Sequence, residues 1–135
     1  MKPDLYATFR GNYARQPERT LRKAWELIAK GDSCAPQVMA RLRKQDMDAM
    51  LEKDWLHWLD TLEGFSCAGL DFGHFPPTLL IHGEGDAVVS PVQAECFAKY
   101  IPNLHLILMP DTGHAPHWHD ERAVAGWIQE FAHVR

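Results

Sequence analysis

The chain has 135 residues, of which 46% are hydrophobic and 24% charged, and it carries a net charge of −4. This composition is typical of one globular domain and excludes disordered, collagenous and coiled-coil chains. No apolar run approaches the roughly 20 residues of a membrane-spanning helix, and the N-terminus lacks the layout of a secretory signal. Because three widely spaced cysteines do not indicate a disulfide framework, we expect a reduced, cytoplasmic setting. We expect neither a nucleic-acid nor a membrane partner.

The charges are unevenly distributed along the chain. Residues 1–45 hold ten Lys and Arg against four Asp and Glu, a net charge of +6, whereas residues 46–135 hold four against fourteen, a net charge of −10. This asymmetry indicates that the first third of the chain meets an acidic partner. A solvated basic helix face is an equally open interpretation.

Residues 1–63 are predicted to be helical, with no strand between the helices. Pro17 suits the first turn of a helix, and Gly31 would end it. The apolar residues of this helix recur at the spacing of one buried face and are Leu21, Ala24, Trp25 and Ile28. Two further helices are predicted, one that starts near Pro36 and one that ends at Gly64. Each short helix has only one apolar face, so it needs another surface to cover that face.

The composition then changes, and two apolar strands follow. Residues 64–77 are rich in Gly, Pro, Ser and Asp and are predicted to be a linker loop. Residues 78–81 and 104–109 are predicted to be buried strands, and Ser90 with Pro91 favours a helix start between them. The buried face of that helix is predicted to hold Cys96, Phe97 and Tyr100. A last helix is predicted to bury Val124, Trp127, Ile128 and Phe131. Strand, helix, strand, helix is a unit of a parallel sheet, so the fold class is α/β.

An acid and a histidine follow the two predicted strands. Asp86 comes after the first strand, and His114 comes 28 residues later, after the second. Because the carboxyl ends of parallel strands meet at one edge of a sheet, we expect these side chains to lie close together. An acid that orients an imidazole, and an imidazole that moves protons, are two members of a hydrolytic triad. Taken singly, each residue could instead be an ordinary turn or loop residue.

Two segments carry a resemblance to the α/β-hydrolase family. Residues 77–91, Pro-Thr-Leu-Leu-Ile-His-Gly-Glu-Gly-Asp-Ala-Val-Val-Ser-Pro, resemble its penultimate strand and acid loop, and residues 113–116, Gly-His-Ala-Pro, resemble its histidine loop. The resemblance implies a partial α/β-hydrolase fold, with a helical cap in residues 1–63, the linker, and the C-terminal part of the core in residues 78–135. It implies that Asp86 is the acid and His114 the general base of a serine carboxylesterase, with no cofactor.

The first 45 residues are similar to the cap of one group within this family. These are the esterases of biotin synthesis that act on a pimeloyl methyl ester held by acyl carrier protein, and the similarity lies in residues 1–5, Phe9, Arg19-Thr20-Leu21 and Lys23. In that group, basic cap residues hold the acidic carrier protein, and the matching positions here are Arg19 and Lys23. The resemblance implies an ester substrate and makes acyl carrier protein a candidate partner.

The family places its nucleophile elbow, its oxyanion-hole loop and its first strands before the cap, whereas these 135 residues start at the cap. The segment Gly64-Phe65-Ser66-Cys67-Ala68 matches the small-x-Ser-x-small pattern of a nucleophile elbow. An elbow needs a strand before it and a helix after it, whereas here a helix is predicted before the segment and a loop after it. We therefore do not expect Ser66 to be the nucleophile. We interpret the chain as the C-terminal half of a serine hydrolase. The alternative is a non-catalytic binding module that dimerises through the open edge of its sheet.

Two further expectations concern the histidine loop. Trp118 lies four residues after His114 and is expected to line the acyl pocket as a substrate-binding residue. A metal site is an alternative interpretation of this loop, because His114, His117 and His119 lie close together in sequence and histidine is a common zinc ligand. Since Pro116 interrupts this stretch and the spacing matches no strong ligand motif, we expect no physiological metal.

Overall fold

The computed structural model describes residues 3–51, 55–66 and 69–133. Of the motif residues above, Met1, Lys2, Cys67 and Ala68 lie outside these ranges. The described elements, in chain order, are α1 (Pro3–Arg15), α2 (Pro17–Ala29), α3 (Ala35–Leu42), α4 (Met47–Leu51), α5 (Trp55–Gly64), β1 (Thr78–Gly83), α6 (Pro91–Ala98), β2 (Leu104–Met109), α7 (Pro116–His119) and α8 (Glu121–His133).

The predicted helices lie where the local signals place them. Helix α2 begins at Pro17, and the chain leaves it through Gly31, whose φ of +82° is accessible to glycine without strain. Pro36 is in the first turn of α3, and α5 ends at Gly64. The sequence did not resolve α1 and α4 as separate helices, because neither has the regular apolar stripe of α2.

The core of the helical part reaches into the loop that carries His114. Its buried residues are Trp25, Ala29, Val38, Leu42 and Ala115. Ala115 belongs to the histidine loop, and Trp118 of α7 packs against the same cluster. The apolar faces of α2 and α3 are therefore covered in part by the segment that follows β2, so the position of that segment depends on the helices.

The two strands form a parallel pair, which confirms the α/β class. The register runs from Thr78 opposite Leu104 to Gly83 opposite Met109. Both strands were predicted to be buried, but only Gly83 and Met109 are, and the other positions are half-buried or exposed. Within the described residues each strand has a single neighbour, so much of the sheet surface stays accessible.

Three residues that helical spacing predicted to be buried are exposed. Tyr100 lies beyond the end of α6 and is 67% exposed, Cys96 is exposed on α6, and Ile128 is exposed on α8. A sheet of two strands is too narrow to cover the whole apolar face of each helix. None of the helices in the described ranges has the length and apolar character needed to cross a membrane.

Candidate active site

The loop after β1 holds the carboxylate of Asp86 in a fixed orientation. Its Oδ1 accepts hydrogen bonds from the backbone N–H groups of Val88 and Val89, at 2.8 and 2.9 Å. The side chain is only 2% exposed. A buried carboxylate needs such donors, because burying a charge without partners costs several kcal/mol. The loop thus leaves Oδ2 available for another contact.

The second oxygen of Asp86 binds His114. The distance between Asp86 Oδ2 and His114 Nδ1 is 2.8 Å. With Nδ1–H donating to the carboxylate, Nε2 of the neutral ring is a free proton acceptor. The His114 side chain is 37% exposed, so its ring is accessible from solvent. The sequence predicted this pair, and the structure brings it together.

His82 is a contact of Asp86 that the sequence analysis missed. Its Nε2 lies 3.0 Å from the carbonyl oxygen of Val89 and 3.2 Å from Asp86 Oδ2. Asp86 Oδ2 therefore faces two histidine rings. The signal was present in the sequence, because His82 precedes Asp86 by four residues at the end of the strand.

A second buried carboxylate, Asp32, contacts the histidine loop and was also missed. Its Oδ1 accepts from the backbone N–H of Cys34 at 2.7 Å and from Nδ1 of His119 at 2.8 Å. Its Oδ2 accepts from the backbone N–H of Gly113 at 3.0 Å. Burial raises the pKa of Asp32, but the hydrogen bonds from Gly113, His119 and Cys34 outweigh burial, so the pKa lies below its ordinary value.

Glycines allow the loops of the site to approach one another backbone to backbone. A β-carbon on Gly85 would overlap the carbonyl oxygen of Gly31, and one on Gly83 would overlap the carbonyl oxygens of Thr112 and Gly113. None of Gly83, Gly85 and Gly113 has a positive φ. Their role here is close contact between chain segments.

An apolar cavity of 820 Å³ opens beside His114. Besides His114, its walls come from α1, α2, α5, α6 and the acid loop, and include Phe9, Leu27, Ile28, Leu59 and Val88. Trp118, the expected wall of an acyl pocket, does not line this cavity, because its ring packs against the core of the helical part. The cavity nevertheless has the apolar character that an acyl chain requires.

A smaller basic cleft of 280 Å³ lies between α1 and α2. Three cations line it, namely Arg15, Arg19 and Lys23. Phe9 and Lys23 line both this cleft and the apolar cavity, so the two spaces adjoin. The two residues singled out from the cap resemblance, Arg19 and Lys23, therefore share one surface next to the cavity that contains His114.

One group of metal-ligating residue types converges within the described ranges. Ligand atoms of Asp32, Cys34 and His119 all lie within 4.8 Å of one another. This group differs from the three histidines that the sequence raised. The oxygens of Asp32 already accept three N–H hydrogen bonds, one of them from His119. Asp32 and His119 of this group are therefore hydrogen-bonded to each other, and Cys34 joins them through its backbone N–H.

The fold and the paired strand ends agree with the comparison to protein families. Residues 3–121 match the model of the alpha/beta hydrolase fold. This chain belongs to the alpha/beta hydrolase family.

Two proteins of biotin biosynthesis or pimeloyl ester hydrolysis are similar to this chain in sequence. The biotin biosynthesis bifunctional protein BioHC of Cellvibrio japonicus is 26% identical over 131 residues, which cover 97% of this chain and 26% of that protein. The pimeloyl-[acyl-carrier protein] methyl ester esterase of Aromatoleum aromaticum is 27% identical over 126 residues, which cover 80% of this chain and 44% of the esterase. The chain spans less than half the length of either relative.

None of the three serines of this chain stands at a strand-to-helix elbow. Ser33 follows α2, Ser66 follows α5, and Ser90 lies at the end of a loop, directly before α6. An elbow serine needs a strand that leads directly into a tight turn. The described residues thus hold the hydrogen-bonded pair of Asp86 and His114, without an elbow serine.

Proposed function

We propose that this chain supplies the acid and the general base of a serine carboxylic-ester hydrolase. The observation that carries the proposal is the hydrogen bond of 2.8 Å between Asp86 Oδ2 and His114 Nδ1. It supports the proposal because the acid is buried, while the histidine is accessible and lines an apolar cavity. A fixed acid, a partly exposed imidazole and a pocket are what acyl transfer needs from this part of the fold.

In the complete hydrolase, a serine from outside the described residues attacks the ester carbonyl. His114 Nε2 accepts the serine proton and donates it to the departing alkoxide, which leaves an acyl-enzyme. Water then attacks the acyl group, His114 accepts a proton from the water, and the serine regains its proton as the acid departs. Asp86 keeps the imidazole in the required tautomer and stabilises the imidazolium in both halves of the reaction.

The proposed substrate is an acyl ester, with a methyl ester on acyl carrier protein as its finer definition. Two features support it: an apolar cavity beside His114, and the cations Arg19 and Lys23 beside that cavity. An acyl chain would lie in the cavity while an acidic carrier protein contacts the cations. The names of both relatives, which concern biotin biosynthesis and a pimeloyl methyl ester, agree with this choice.

The test is hydrolysis of a small soluble ester, p-nitrophenyl butyrate, by the protein as its source cell makes it. His114→Ala is compared with His117→Ala, a neighbouring exposed histidine outside the proposed machinery. We expect kcat to fall by at least about 1,000-fold in His114→Ala and to stay within about twofold in His117→Ala. Equal activity of the two variants would overturn the proposal.

A self-associating half-domain is the second candidate function. The observation that favours it is the sheet, in which each described strand has one neighbour and therefore one free edge. Free edges pair readily with further strands, including those of a second copy. Light scattering on the purified chain measures its molar mass and thus distinguishes a monomer from a dimer. A mass of twice 15.4 kDa, together with no ester hydrolysis, would favour a dimer, whereas a mass of 15.4 kDa would contradict it.

A further inference from the structure

A second carboxylate and histidine pair lies next to the proposed triad pair. Asp32 stands in the turn between α2 and α3, and His119 stands at the end of α7, 87 residues later. The Asp32 side chain is 0% exposed, and His119 is half-buried. A carboxylate so fully enclosed is costly unless all its partners stay in place, so the arrangement is rigid.

The α2–α3 turn contacts residues that precede and follow His114 in the chain. Asp32 holds the backbone N–H of Gly113 immediately before His114 and the ring of His119 five residues after it. Two backbone bonds complete the attachment. Ser33 N–H donates to the carbonyl of Asp111 at 2.8 Å, and the N–H of His114 donates to the carbonyl of Ile28 at 3.1 Å.

We propose that Asp32 and His119 are positioning residues that set the orientation of the His114 imidazole toward Asp86. The inference rests on the proposed function and deepens it. Neither residue takes or gives a proton to substrate. Their bond, together with the bond from Asp32 to Gly113, fixes the loop from which His114 projects. Proton transfer depends on placement within about 0.5 Å, so a loosened loop lowers the rate of catalysis rather than the affinity for substrate.

Substitutions at both residues separate positioning from simple packing. Asp32→Asn replaces one carboxylate oxygen by an NH₂ group, which cannot accept a hydrogen bond. The bond from Gly113 is lost if this group stands at Oδ2, and the bonds from Cys34 and His119 are lost if it stands at Oδ1. His119→Leu removes the donor to Asp32. His119→Asn retains it, because the amide nitrogen of Asn stands where Nδ1 of His stands.

The linker supplies a matched control for Asp32. Asp71 also accepts a backbone N–H, from Gly73 at 2.8 Å, and also contacts a histidine Nδ1, that of His74 at 3.0 Å. It differs in being exposed and in lying outside the loops of the site. Asp71→Asn therefore removes the same chemistry without touching the His114 loop.

The first readout is the low-field proton resonance of the His114 Nδ1–H in the NMR spectrum of the 135-residue chain. Asp32→Asn and His119→Leu are expected to shift or broaden this signal while circular dichroism shows a folded chain. His119→Asn and Asp71→Asn are expected to leave it unchanged. If Asp32→Asn does not fold, the His114 resonance of His119→Leu is compared with that of His119→Asn, and this comparison tests the inference. An unchanged resonance in a folded Asp32→Asn or His119→Leu variant would overturn the inference.

The second readout is ester hydrolysis by the protein from the source cell. Asp32→Asn and His119→Leu are expected to lower kcat by about 10- to 100-fold with KM within about twofold. If His114→Ala abolishes activity but Asp32→Asn retains it, only the positioning role is wrong. If His114→Ala retains activity while Asp32→Asn still alters the His114 resonance, only the proposed function is wrong.

Discussion

Asp86 and His114 are separated by 28 residues along the chain, and a hydrogen bond of 2.8 Å joins their side chains. This contact follows from the sheet, because Gly83 and Met109, the last residues of β1 and β2, are register partners. The loops that leave the two strands therefore start side by side. The acid and base of the proposed triad are brought together by strand pairing within this chain.

Asp86→Asn is expected to lower kcat/KM for a small ester by about 1,000- to 10,000-fold. The amide can present its NH₂ group to His114, which favours the wrong tautomer of the imidazole. Steady-state rates with p-nitrophenyl butyrate measure the effect. Glu84→Gln, an exposed change in the same loop, is the control and should stay near wild type. A loss of less than about tenfold in Asp86→Asn would contradict the role of the acid.

Arg19→Glu is expected to raise KM about tenfold for an ester carried by acyl carrier protein. It should leave p-nitrophenyl butyrate hydrolysis unchanged. The reason is electrostatic: Arg19 lies in a basic cleft, and reversing its charge repels an acidic carrier. Lys44→Glu, an exposed cation beyond α3, makes the same charge change elsewhere and serves as the control. Equal KM values for the two variants would remove the carrier from the proposal.

The chain is expected to become less stable in acid, because protonation of Asp32 removes a stabilising charge. Its pKa is lower in the folded state than in the unfolded state, so the folded state binds the proton less readily. The stabilisation is present above the unfolded pKa, about 4, and is lost as the pH falls through the folded pKa. Since Asn resembles a protonated Asp, Asp32→Asn should cost about 2–4 kcal/mol at pH 7 and progressively less below pH 4.

Urea unfolding of wild type and Asp32→Asn at a series of pH values checks this expectation. Asp46→Asn is the control, because Asp46 is an exposed residue that accepts two backbone N–H bonds at the start of α4. A difference between wild type and Asp32→Asn that is constant from pH 7 to pH 2 would show that ionisation of Asp32 does not stabilise the fold.

Gly85→Ala is expected to destabilise the chain by about 2–4 kcal/mol, since the new methyl group would overlap the backbone of Gly31 and force the loops apart. Gly126→Ala, in α8 with open space around the added carbon, should be neutral or stabilising by up to about 1 kcal/mol. Thermal unfolding measures both variants. A melting temperature of Gly85→Ala equal to that of wild type would contradict the close approach of the two loops.

The sequence predicted features that follow from local turn chemistry or from the order of the strands. The start of α2 at Pro17 is an example of the first kind, and the pairing of Asp86 with His114 is an example of the second. Asp32 could not be distinguished from an ordinary turn aspartate, since its partner His119 lies 87 residues away. Helical spacing shows which residues share a face but not what covers it, which is why Tyr100 was wrongly predicted to be buried.

We propose that His114 activates a serine nucleophile in the complete hydrolase. Fluorophosphonate probes react with such an activated serine, and mass spectrometry identifies the residue that carries the adduct. In the protein from the source cell, we expect one labelled serine, and labelling slowed by at least about 1,000-fold in His114→Ala. Labelling at the same rate in wild type and His114→Ala, or no labelled serine in the wild type, would contradict the account.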